Sequence, residues 1–80
     1  MNKNQIKVLR DFGYEVIPEI NLIKENTFTN PNFYLIYDPN TKSFSICVVT
    51  ATVNVPQSTN YLLELISKIE IADKLNQLTN

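Results

Sequence analysis

Along residues 3 to 12 the apolar positions Ile6, Leu9 and Phe12 recur at helical spacing with polar residues between them, which predicts a short amphipathic helix. Asn2 or Asn4 is placed to accept from its first free backbone N–H groups. Gly13, the only glycine, comes next and suits the left-handed residue that ends a helix, with Tyr14 folding back on the last turn. Glu15-Val16-Ile17 reads as a strand, and Pro18 limits its extension or confines it to a sheet edge. Residues 19 to 26 suit either a second strand segment or a helical turn, and residues 27 to 32 are a loop by composition.

The sharpest local pattern runs from Phe33 to Val48, where two β-rich runs flank Asp38-Pro39-Asn40-Thr41. Asp accepts hydrogen bonds from the amides of its own turn, Pro presets the next φ, and Asn and Thr suit the later turn positions, so a type I turn closes a hairpin. If Asp38 faces Ser43, the register pairs Tyr37 with Phe44, Ile36 with Ser45, Leu35 with Ile46, Tyr34 with Cys47 and Phe33 with Val48. One face then holds only apolar pairs, and a slip by one residue would scramble both faces. Lys42 takes the positive-φ position that glycine would fill at lower cost. Tyr34, Ile36 and Cys47 are left on the other face.

Past Val48 the apolar phase flips to Val49, Ala51, Val53 and Val55, which predicts a bulge or burial of the opposite face. The strand over 43 to 55 outruns its hairpin partner and is expected to pair again, with the 14 to 17 strand or with another subunit. Pro56-Gln57 ends it, Ser58, Thr59 or Asn60 can cap, and residues 60 to about 77 form the longest helix. Leu62, Leu65, Ile66 and Ile69, extended by Ala72, are expected to be its core stripe. Ile71, Leu75 and Leu78 form a second stripe, more than a quarter turn away, so the helix must rewrap, break near Ser67 to Glu70, or bind a partner. The expected fold class is α+β: an α-β-β-β-α domain whose three-stranded, mostly antiparallel sheet carries the hairpin and is packed by the N- and C-terminal helices.

Composition adds bounds to this picture. Eighty residues make room for one core, so residues 1 to 80 are expected to be a single small domain, and a chain this short buries only roughly 60–65% of its unfolded surface. Apolar residues are 44% and charged residues 19%, ordinary for a globular chain. The apolar runs are far short of the ~18–20 residues that cross a bilayer, and the first residues do not read as a signal peptide, so a cytoplasmic protein is expected. Asn, Ile, Lys, Tyr and Phe are abundant while Gly, Ala and Arg are scarce, as an AT-rich genome would encode, which suggests a low-GC bacterium or its phage or plasmid.

Candidate chemistry is removed more than it is supplied. The chain has no histidine, one cysteine and one glycine. That leaves no Ser-His-Asp or Cys-His catalysis, no conventional zinc site and no glycine-rich phosphate cradle, and no metal or cofactor is expected. Cys47, with no nearby cation to activate it, reads as a packing residue. The carboxylate pairs Glu70 with Asp73 and Glu15 with Glu19 read as solvated faces, because acid–base work needs an apolar cleft to separate their pKa values. Seven basic and eight acidic residues give a net charge of −1, with the basic residues scattered, which is no nucleic-acid footprint.

These eliminations leave a non-enzymatic protein-interaction module, expected to be a homodimer and to act as an inhibitor or small regulatory subunit on another protein. The expected contact residues are Tyr34, Ile36, Cys47, Ile71, Leu75 and Leu78. The rival from another class is a nucleic-acid-binding regulator whose dimer gathers Lys3, Lys7, Arg10 and Lys42 on one side.

Overall fold

The first helix, α1 (Lys3–Asp11), begins with a reciprocal cap. Asn2 Oδ1 accepts from the Gln5 N–H at 2.8 Å while Gln5 Oε1 accepts from the Asn2 N–H at 2.9 Å, so two amides that the helix leaves without partners are both satisfied. The helix stops where Gly13 takes φ +90°, and the Gly13 N–H donates to the Arg10 carbonyl at 3.0 Å. A Cβ at Gly13 would meet nothing within 4 Å, so the requirement for glycine there is one of backbone conformation alone. In this computed structural model, which describes residues 1–25, 33–48 and 59–79, the helix buries Gln5 and Leu9. Phe12, expected on the buried face, is half exposed at the helix end with the Lys74 ammonium 5.6 Å from its ring centroid.

Residues 14 to 25 resolve the ambiguous stretch as a small hairpin. β1 (Tyr14–Ile17) is stopped by a 3-10 turn over Pro18–Ile20, Asn21 reverses the chain in the left-handed region at φ 52°, and β2 (Leu22–Glu25) returns antiparallel. Asn is among the few non-glycine residues that tolerate this conformation well. Tyr14 faces Glu25 and Val16 faces Ile23, and Tyr14 and Val16 are buried.

β3 (Phe33–Asp38) and β4 (Ser43–Val48) pair in the register that the turn chemistry predicts, with Asp38 facing Ser43 and Phe33 facing Val48. The Asn40 N–H donates to Asp38 Oδ1 at 2.9 Å, and Lys42 takes φ 55°. Phe33, Leu35 and Phe44 are buried on one face, whereas Tyr34, Ile36, Ser45 and Cys47 on the other are exposed. Cys47 is therefore not a packing residue: the strand alternation turns it outward with Tyr34.

Among the described residues the strands form two separate two-stranded sheets, β1–β2 and β3–β4, in place of the expected three-stranded sheet. The 14 to 17 strand finds its partner locally in β2, across a short turn, so it is not the third strand of the longer hairpin. β2 packs beside β3 without joining its ladder. The phase flip and the strand extension expected beyond Val48 lie outside the described residues, as does the 27 to 32 loop.

The long helix α2 (Thr59–Gln77) lies against β4 and β3, while α1 packs on β1. Leu9, Tyr14, Val16, Leu35, Phe44, Ala72 and Leu75 make one buried cluster. The helix docks with its phase turned from the one expected: Ala72, the end of the expected core stripe, is buried as expected and Leu65 is partly buried, but the rest of the stripe turns outward. Leu75, at 0% exposure, together with Lys68 and Ala72, faces the core, while Leu62, Ile66 and Ile69 face outward. The reason is the pair of charges near the middle of the docked face. Glu64 and Lys68 make that face look solvated in the sequence, yet Lys68 is buried with its charge paired. No helix among the described residues is long and apolar enough to cross a membrane.

Candidate partner-binding surfaces

Two side chains of the core are positioned by amides the sequence does not advertise. The Asn76 side chain accepts from the Phe44 N–H at 2.7 Å and donates to the Phe44 carbonyl at 3.0 Å. Both backbone groups of Phe44 therefore point away from β3, and α2 occupies that edge of the hairpin with a carboxamide where another strand would lie. At the other end, Gln5 Nε2 donates to the Leu75 carbonyl at 3.1 Å and Asn2 Nδ2 donates to the Leu78 carbonyl. The cap of α1 thus also closes α2, whose last carbonyls have no partner within the helix.

These attachments decide the fate of the expected contact residues. Leu75 is fully buried, and Ile71 and Leu78 are partly buried. The second stripe of α2 is consequently the one that docks on its own chain, Leu75 fully and Ile71 and Leu78 in part. Tyr34 and Ile36 stay 41% and 44% exposed and share the outer face of the β3–β4 hairpin with the exposed Cys47 thiol. Of the stripe read as core, Leu62, Ile66 and Ile69 turn outward at 49%, 51% and 43% exposure, joined by Leu63 at 58%, whereas Leu65 is partly buried and Ala72 is buried. Two apolar surfaces are thus open, on different elements.

A polar cluster lies between the small hairpin and α2. Lys68 Nζ donates to the Tyr14 hydroxyl at 2.8 Å, forms an ion pair with Glu25 and sits 4.9 Å from the centroid of the Tyr14 ring. Burial holds the Lys68 pKa below its ordinary value. The Tyr14 hydroxyl is pushed up, first by burial and then by the Glu64 carboxylate. Phe12, Gly13, Ser67 and Ile71 complete a cleft of about 280 Å³ over this cluster. With its cation already bound by Tyr14 and Glu25, the cluster acts as a tie between β1, β2 and α2. Its members escape a sequence reading because an i, i+4 Glu–Lys pair is the ordinary mark of a solvated helix face.

The carboxylate pairs do not converge. Glu15, Glu19, Glu70 and Asp73 are exposed, and of the pair on α2 only Glu70 borders a shallow groove, with Phe12, Ser67, Ile71 and Lys74. On α1, by contrast, Lys3, Lys7 and Arg10 are all exposed at i, i+4 and i+7, and Lys42 borders the same cleft as Met1 and Asn2 at the start of that helix. Comparison of the chain with protein-family models, curated proteins and solved structures gives no match.

Proposed function

We propose that this chain is a non-catalytic interaction module that binds a protein target through the outer face of the β3–β4 hairpin, as a cytoplasmic inhibitor or small regulatory subunit of phage or plasmid origin would. The observation that carries the reading is the half-exposed pair Tyr34 and Ile36 beside exposed Cys47, an aromatic and aliphatic patch on a rigid ladder. Burial of such residues is what drives association, with aromatic anchors contributing most. A photoreactive amino acid at position 36, expressed in the source cell, is expected to give one discrete protein adduct that Tyr34→Asp abolishes. The same probe at Lys42, on the hairpin tip, serves as the comparison. Equal labelling from both positions, or none from position 36, removes the proposal.

A second reading, a nucleic-acid-binding regulator, draws on the basic stripe Lys3, Lys7 and Arg10 with Lys42 near its start. Four phosphate contacts would give a salt dependence of log K against log salt of about −3 to −4 on duplex DNA. Gel shifts across ionic strength separate the readings: no complex at low salt disposes of this one.

A further inference from the structure

The cluster that ties the small hairpin to α2 also borders open space. Of the six lysines, Lys3, Lys7, Lys24, Lys42 and Lys74 are exposed, and Lys68 alone is buried. It lines the cleft of about 280 Å³ whose other walls include Phe12, Gly13, Ser67 and Ile71. Beside it stand two proton-carrying groups, the Tyr14 hydroxyl at 2.8 Å and the Glu25 carboxylate. Taking an amine out of water disfavours its ammonium form, which is how a lysine becomes a nucleophile towards carbonyl compounds.

We propose that Lys68 captures a small neutral aldehyde in this cleft and holds it covalently as a protonated imine. The Lys68 ammonium gives one proton to Glu25, and its lone pair then forms a C–N bond to the carbonyl carbon. The carbonyl oxygen takes the Tyr14 proton, and the new C–NH₂⁺ group returns one to Tyr14. Glu25 then hands its proton to the carbinolamine hydroxyl, the C–O bond breaks, and one water leaves. Tyr14 and Glu25 end as they began. Because Lys68 is the donor to Tyr14, the hydroxyl hydrogen is not spent on the amine. Burial and the Glu64 carboxylate also keep that hydroxyl in its protonated form. The protonated imine retains the positive charge that Glu25 pairs with, so capture leaves no buried carboxylate without a counter-charge. Phe12 and Ile71 offer the ligand apolar walls, while Glu25 and Glu64 repel a carbonyl compound that carries its own carboxylate. A cleft at the lower bound of the ~300–1,000 Å³ usual for ligand sites admits only a small molecule.

The capture is stoichiometric, and it uses a different part of the chain from the hairpin face proposed above, so neither reading depends on the other. The full chain is incubated at neutral pH with benzaldehyde and cyanoborohydride, which reduces the imine to a stable secondary amine, and the adducts are placed by peptide mass mapping. Lys68 is expected to be labelled several times faster than any exposed lysine. Lys68→Arg, which keeps the paired cation but forms no imine, should remove that fast adduct. Tyr14→Phe, which keeps the ring, should slow labelling at position 68 severalfold with an unchanged circular dichroism spectrum. Glyoxylate should show a smaller preference for Lys68 over the exposed lysines than benzaldehyde does. Labelling spread evenly over all six lysines, or slowest at Lys68, overturns the capture, and a preference that is greater with glyoxylate overturns the ligand class.

Discussion

Asn76 does with one side chain what a neighbouring strand residue does with its backbone, meeting both the N–H and the carbonyl of Phe44. Asn76→Ala leaves those two groups without partners at the edge of the core, and a loss of about 1–3 kcal/mol is expected. A lower urea midpoint with an unchanged slope is the measurement that checks it. Lys42 is the opposite case, a position where the native residue is the strained one at φ 55°. Lys42→Gly relieves the left-handed penalty while adding unfolded-state entropy, and a net gain of up to about 1 kcal/mol is expected from thermal melts. Lys42 was legible in the sequence because turn length and cross-strand pairing both pointed to it. Asn76 was not, because its partner lies 32 residues away and an amide carries no mark of what it will face.

At the scale of the element, α2 shows where apolar periodicity misleads. Both stripes of this helix are hydrophobic, and the richer one, Leu62, Ile66 and Ile69, faces outward. What chose the other is not visible in a hydropathy pattern: Lys68 lays its aliphatic stem along the buried face and ends its charge on Glu25 and Tyr14. Truncation distinguishes the two phases. Leu75→Ala should cost about 2–5 kcal/mol, because Leu75 is fully buried and its loss leaves a cavity. Ile66→Ala, at an exposed position, should change stability by no more than about 0.5 kcal/mol. The β3–β4 hairpin, whose six pairs matched expectation, was legible because turn chemistry and strand alternation are both local. A second strand within residues 19 to 26 was one of two alternatives, but its pairing with β1 was not foreseen because Pro18 and Asn21 build the reversal from a 3-10 turn, not from a common two-residue hairpin loop.

Across the whole molecule, the Lys68 cluster makes stability depend on alkaline pH. Between the lowered folded pKa of Lys68 and its ordinary 10.5, the unfolded chain binds more protons than the folded one, so this lysine adds stability as pH rises. Tyr14 works in the other direction: its raised pKa means that the folded chain keeps a proton which the unfolded chain loses above 10.0, and stability then falls. Glu25 faces the ammonium from β2, while Glu64 faces Tyr14 from α2. The wild-type unfolding free energy minus that of Lys68→Met should therefore increase from pH 8 towards pH 10, and a difference that stays flat contradicts the account. The clasp between the first residues and the last has a consequence in time. Asn2 reaches the Leu78 carbonyl across 76 positions of sequence, a closure whose entropy costs about 4 kcal/mol, whereas the β3–β4 turn closes over a handful of residues. Folding should accordingly start at mid-chain and finish at its extremities, and a chain emerging from a ribosome cannot lock α1 in place until residue 78 has emerged.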